Sequence, residues 1–246
     1  MIPSLQCNQV ILGDCLEKMK DISDKSIDMI LTDLPYGVTS RNKWDEIIPT
    51  EPLFRELKRI CKGAIVMTSM NPFTSLLISK NYDSYKYEWI WRKQQGTGFL
   101  NAKKQPLRNH EQIIVFYENQ PTYNPQMTEG KPYKCQSGRA SSNYNEQISV
   151  LTDNKGERYP LSVLDFKYNK DKLHPTQKPV ELFEYMIKTY TNEGNTVLDC
   201  CAGSGTTAIA CINTNRNYIV IEKDAGYFKI IQDRIKQSSK PLEAFQ

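Results

Sequence analysis

Two stretches of the chain place reactive residue types at what read as strand ends. The first, Asp199-Cys200-Cys201-Ala202-Gly203-Ser204-Gly205-Thr206-Thr207, follows the apolar pair Val197-Leu198 and runs into a helix-compatible segment ending near Cys211. Gly203 and Gly205 leave room for a ligand to approach the backbone, and Thr206 or Thr207 can cap a helix whose unpaired N–H groups face that ligand. Gly203-x-Gly205-x-x-Ala208 fits the loose dinucleotide pattern, which a plain turn in an α/β protein satisfies equally. A further strand, Tyr218 to Ile221, ends in Glu222, an acid placed to accept hydrogen bonds from two ribose hydroxyls, so the ligand reads as one containing a nucleoside. The second stretch, Asp33-Leu34-Pro35-Tyr36, closes the run Ile27 to Thr32 with a carboxylate, a proline and an aromatic ring.

These two turns need a sheet to hold them, and the order of its pieces is informative. In a dehydrogenase the remaining strands would follow Glu222, whereas here one amphipathic helix (Phe228, Ile231, Ile235) precedes the end at Gln246. The other strands therefore lie upstream. Periodicity predicts them at Gln9 to Leu12, Ile27 to Thr32, Gly63 to Thr68, Tyr85 to Trp91 and Gln112 to Tyr117, with Val197–Leu198 and Tyr218 to Ile221 making seven. Helices are expected from Cys15 to Met19, Pro52 to Cys61, Asn71 to Ser79 and from Pro179 onward, where proline suits the first turn. Asp14 and Glu17 have the spacing of a capping box.

Asp-Leu-Pro-Tyr resembles the D-P-P-Y motif of the amino-methylating DNA methyltransferases that use S-adenosylmethionine, with Leu34 in place of the first proline. Asp199 to Thr207 resembles that family's cofactor loop, D-P-F-A-G-S-G-T-T, and His174-Pro175-Thr176-Gln177-Lys178-Pro179 resembles the motif preceding it. The order, catalytic motif first and cofactor loop last, is that of the family's beta group.

The resemblance implies an α/β fold with a seven-stranded Rossmann-like methyltransferase sheet, a circularly permuted motif order and an inserted target-recognition lobe. Residues 1–117 would form the catalytic half, 118–172 the insertion and 173–246 the cofactor-binding half. It implies S-adenosylmethionine at Asp14, Lys178, Asp199, Cys200, Ala202, Gly203, Ser204, Gly205, Thr206, Thr207 and Glu222. The sulfonium is cationic, so a carboxylate-lined pocket suits it better than a diphosphate cradle. Asp33 and the carbonyl of Leu34 would each accept one hydrogen of an exocyclic amine whose lone pair is otherwise delocalised, while Pro35 shapes the turn and Tyr36 stacks on a base flipped out of duplex DNA. Asp rather than Ser at position 33 favours N6 of adenine over the alternative, N4 of cytosine. Carbon-5 methylation has no nucleophile, because the chain contains no Pro-Cys pair. A nicotinamide oxidoreductase is disfavoured by the chain order, and the resemblance further suggests a homodimer and a cognate restriction enzyme.

Length and composition set the remaining bounds. A chain of 246 residues, 39% apolar, can bury one sizeable core. It shows no leader and no apolar run near the ~20 residues that span a bilayer, so a cytoplasmic protein is expected. Seven cysteines without a Cys-x-x-Cys pair, and two histidines, read as reduced thiols and no metal site. Cys200 and Cys201 read as small packing residues.

The net charge of +4 is modest, so DNA affinity must be local. Arg92, Lys93, Lys103, Lys104 and Arg108 fall in one acid-free stretch, which fits phosphate contact as well as a solvated loop. Residues 118–172 show neither periodicity and interleave tyrosines with Lys131, Lys134 and Arg139, the composition expected of a DNA-reading lobe.

Overall fold

The apolar runs become strands buried on both faces. In β2 (Ile27–Asp33), Met29 and Leu31 face one side and Ile30 the other, all fully buried, which is why the run is continuously apolar and not alternating. The computed structural model describes residues 7–37, 45–137, 150–168 and 177–238. Ahead of β2 come β1 (Gln9–Leu12) and the short α1 (Cys15–Lys18); after it come α2 (Thr50–Ile60), β3 (Cys61–Ser69), α3 (Phe73–Lys80), β4 (Tyr85–Thr97) and β5 (Arg108–Phe116). Four short strands follow, β6 (Thr128–Glu129), β7 (Tyr133–Ser137), β8 (Val150–Asn154) and β9 (Glu157–Arg158). The chain then runs through β10 (Val163–Asp165), α4 (Val180–Tyr190), β11 (Thr196–Asp199), α5 (Thr206–Asn213), β12 (Asn217–Glu222) and α6 (Ala225–Ser238).

Eight strands form one sheet in the order β1-β12-β11-β2-β3-β5-β4-β10, in which only β5 runs against its neighbours among the described residues. Seven of these are the expected strands. The eighth, β10, pairs with β4 through Leu164 opposite Trp91, inside the stretch that showed no periodicity. Three residues are too few to display a period.

Helices cover both faces. Leu53, Phe54, Leu57 and Ile60 form the buried stripe of α2, which packs with Cys15, Met19, Phe73 and Leu77 against Ile30, Ile65, Ile114 and Ile219. On the opposite face α4, α5 and α6 contribute Leu182, Met186, Ala208, Cys211 and Ile231 against Met29, Val66, Val115 and Val220. No helix among the described residues is long and apolar enough to cross a membrane.

The chain divides into two compact units, Met1–Asn124 with Ser162–Gln246, and Pro125–Leu161. The smaller unit lies within 118–172 and is not structureless: β6 pairs with β9 and β7 with β8, both antiparallel. Asn154 closes its turn by accepting from the Gly156 N–H at 2.9 Å and from Arg158 at 2.6 Å, and the Arg158 guanidinium lies 4.7 Å from the centre of the Tyr133 ring. β6 and β9 are two residues long and Tyr133 to Gln136 of β7 are all exposed, so no apolar alternation marks these strands in the sequence.

Candidate active site

The permuted order brings the two turns together. β11 lies between β12 and β2, with Leu198 opposite Ile30, so the turns after Asp33 and Asp199 leave adjacent parallel strands at their carboxyl ends, where open α/β sheets bind ligands. Thr32 Oγ1 donates to Asp199 Oδ1 at 2.8 Å and ties one turn to the other.

At the glycine turn, Asp199 is a fully buried bracket. Its oxygens accept from Thr32, from the Cys201 N–H at 3.0 Å and from Thr207 Oγ1 at 2.5 Å. Burial pushes its carboxyl up to about 6, the three donors offsetting only part of that penalty. Thr207 is thus turned back to Asp199, and the N-cap of α5 is Gly205, not either threonine. Gly203 and Gly205 have φ of +53° and +80°. The space at Gly205 is not held open for a ligand, since a Cβ there would lie 2.9 Å from Ile231 Cγ2 of α6. Ser204 is also buried and faces α6, its carbonyl accepting from Arg234 at 2.5 Å. Cys200 is buried in the core, as a packing residue should be, and Cys201 packs against it partly buried; Ala202, expected at the cofactor, is buried too.

The half-buried Glu222 is better placed to meet a ligand. Its Oε2 accepts from the Gly203 N–H at 2.7 Å and its Oε1 from the Asp224 N–H at 2.8 Å. The Gly13 N–H reaches the Glu222 carbonyl at 2.9 Å and brings Asp14 alongside. Asp14 caps α1 by accepting from the Leu16 N–H at 2.9 Å, but the expected capping box is incomplete because Glu17 pairs with Lys20.

At the other turn, Asp33 ends β2 within a cluster of charge. Its Oδ1 accepts from the Tyr36 hydroxyl at 2.7 Å and from Thr68 Oγ1, while Oδ2 accepts from Lys178 Nζ at 2.6 Å. Lys178 was expected at the cofactor; its ammonium sits instead on the Asp33 carboxylate, buried, with Glu111 Oε2 3.3 Å away. The buried Lys93 completes the chain through Glu111 Oε1, and its ammonium is 5.4 Å from the Trp91 ring centre. Burial would lower the Lys178 ammonium, but Asp33, Tyr36 and Glu111 together hold it well above the ordinary lysine value. Burial likewise works to raise the Glu111 carboxyl, and Lys178 and Lys93 bring it below its ordinary value.

Leu34, where the motif has proline, buries its side chain in the core beside Leu53 and Phe73. Asp45 accepts from the N–H groups of Tyr36 and Gly37 at 2.8 and 2.9 Å, so the turn after Pro35 is fixed without a second proline. The half-buried Tyr36 ring lies 5.6 Å from that of Phe73. Thr32, Asp45, Thr68 and Glu111 were not singled out from sequence. The pair His110-Glu111 at the head of β5 was the available signal, and it is the glutamate, not the exposed histidine, that enters the cluster.

The N6_N4_Mtase family model, described as DNA methylase, matches residues 27–233. The chain belongs to this DNA methylase family. It is 27% identical over 270 residues to the type II methyltransferase M.HinfI of Haemophilus influenzae, covering 94% of this chain and 68% of that protein. To the DNA adenine methyltransferase YhdJ of Escherichia coli K12 it is 28% identical, covering 95% and 84%. Among solved structures, the M1.HpyAVI complex with S-adenosylmethionine superposes with a TM-score of 0.63 at 24% identity over 92% of this chain and 98% of that one. The cytosine-N4-specific PvuII methyltransferase superposes at 0.70 with 14% identity over 97% and 89%. Both likenesses show the fold.

The methylase's expected DNA contacts fare unequally. Lys93 is buried against Glu111 and cannot reach a phosphate, and Arg92 is held by Asp165 through two hydrogen bonds of 2.6 Å. Lys103, Lys104 and Arg108 are exposed on the arm joining β4 and β5. In the smaller unit Lys131 and Lys134 are exposed, Lys134 lying 3.7 Å from Asp153. Arg139 and the residues His174, Pro175 and Thr176 lie outside the described residues.

Proposed function

We propose that this methylase transfers a methyl group from S-adenosylmethionine to N6 of adenine in double-stranded DNA, with the target base flipped out of the helix. One observation carries the reading: Asp33, at a strand end beside the glycine turn, has three of its four lone pairs filled by Tyr36, Thr68 and Lys178, and keeps one on Oδ2. A carboxylate fixed in this way is an oriented acceptor for one amine hydrogen. The carbonyl of Leu34 accepts the other, and the nitrogen lone pair is drawn out of conjugation with the ring. No covalent intermediate with the protein is needed.

The residues present fit the cofactor. Glu222, a half-buried carboxylate held by backbone N–H groups, is placed to accept from ribose hydroxyls, with Asp14 beside it. When bound, S-adenosylmethionine supplies an electrophilic methyl group on a cationic sulfur. Asp199 acts through the turn it brackets, and Lys178 through Asp33. Tyr36 stacks on the extruded base, contributing about 1–3 kcal/mol. The Pro125–Leu161 unit, through Lys131, Lys134 and its aromatic side chains, supports target recognition.

An aspartate at position 33 and the likeness to YhdJ favour adenine over the N4-cytosine alternative. The test is incubation with labelled S-adenosylmethionine and unmethylated duplex DNA, followed by digestion to nucleosides. The expected labelled product is N6-methyladenosine in its deoxy form, and N4-methyldeoxycytidine would overturn the assignment.

A further inference from the structure

Beyond Lys93 and Glu111, β4 and β5 leave the sheet as a two-stranded arm. β5 is antiparallel to β3 with Gln112 opposite Ser69, and Asp33 lies opposite Thr68. Residues Arg108 to Glu111 therefore continue past the end of β3, on the edge where Asp33 ends β2. At about 3.3 Å per residue, Arg108 stands roughly 10 Å beyond Glu111, and the turn Phe99–Asn101 lies farther out.

Every residue from Gln94 to His110 is exposed, with Phe99 at 80% and Leu100 at 98%. Lys103, Lys104 and Arg108 flank this apolar tip, and no acid occurs between Arg92 and Arg108. The tip is apolar and the charges beside it, Lys103, Lys104 and Arg108 among uncharged residues such as Gln94, Gln95 and Gln105, are all cationic, which complements a polyanion with an apolar interior. A DNA groove admits a two-stranded ribbon, and apolar side chains entering between base steps unstack them.

We propose that the β4–β5 arm is a DNA wedge. Phe99 and Leu100 enter the base stack beside the target nucleotide and fill the gap left when its base is extruded to Asp33, while Lys103, Lys104 and Arg108 contact phosphates. This rests on the proposed action on a flipped base in duplex DNA.

The test compares wild type with Phe99→Ala/Leu100→Ala, whose sites are too exposed to contribute to the core. The methylated site is first read by sequencing modified bases in plasmid DNA treated with wild-type enzyme. Methyl transfer is then measured on a duplex oligonucleotide carrying that site with the target base paired, and on the same duplex with the target opposite an abasic position. The double variant should lose about tenfold to a hundredfold in rate on the paired duplex, and much less where the base is already unpaired, with melting temperature and cofactor affinity unchanged. Equal losses on both duplexes, or no loss on either, would overturn the wedge. A change in oligomeric state by sedimentation with paired-duplex activity intact would overturn it in favour of a second copy of the chain. Wild-type enzyme inert towards all DNA would instead remove the functional reading itself, and the wedge with it.

Discussion

The turns after Asp33 and Asp199 leave neighbouring strands and each holds a carboxylate, yet the two are stabilised by opposite means. Asp33 sits in a balanced cluster of two carboxylates and two ammoniums, with Glu111, Lys178 and Lys93 all buried. Asp199 meets two hydroxyls and one amide, with no cation among its partners in the described residues. A carboxylate whose partners include a buried ammonium is held in place by charge as well as by hydrogen bonds. A carboxylate buried among neutral donors is pushed up to about 6 and serves to hold its loop. The two turn carboxylates are therefore told apart by their partners, not by residue type.

Removing one charge from the cluster should have the largest effect. Glu111→Gln leaves two buried ammoniums facing one carboxylate and should reduce stability by about 3–5 kcal/mol in urea unfolding. Adding Lys93→Met restores the balance and should recover much of the loss. A Glu111→Gln protein within about 1 kcal/mol of wild type would show that the four groups do not act together.

A smaller effect is expected in the glycine turn. Gly205→Ala places a Cβ 2.9 Å from Ile231 at φ +80°, and should cost about 1–3 kcal/mol of stability, part of it recovered by Ile231→Val. Cofactor affinity should fall only as far as the turn is displaced. Normal stability with cofactor binding lost would mean that position 205 meets the ligand directly.

Asp199→Asn should have the smallest effect and the opposite sign. Native Asp199 holds its proton more tightly than the unfolded chain does, so wild-type stability declines as pH rises from about 4 to about 6 through this group. The amide removes that part of the slope and should gain about 1 kcal/mol at pH 8, where the ionised carboxylate is most disfavoured. Unfolding at a series of pH values reads it, and an unchanged slope would contradict the neutral-clamp account.

Much of this arrangement is legible in the chain because strands buried on both faces and glycine turns leave local marks. The seven strands and the turns after Asp33 and Asp199 are all of that kind. The charge cluster is not: Lys178 precedes α4, Glu111 heads β5 and Lys93 lies on β4, and only the sheet order brings them to Asp33. Lys93 accordingly looked like one more cation in an acid-free loop. Gly205 was ambiguous for a similar reason, since the packed helix that its missing Cβ accommodates shows only when Ile231 is seen beside it. In the Pro125–Leu161 unit β6 and β9 are too short to show alternation, and β7, exposed from Tyr133 to Gln136, has no buried face to write one.

Asp33→Asn tests the central claim most directly. It keeps the shape of the side chain but weakens its acceptor and removes its charge. Single-turnover methyl transfer to duplex DNA, measured beside calorimetry with S-adenosylmethionine, should show transfer reduced by at least about a hundredfold, a barrier increase of about 3 kcal/mol, while cofactor affinity changes by less than about threefold. Transfer at the wild-type rate, or a loss accounted for by weaker cofactor binding, would contradict the assignment of Asp33 to the amine.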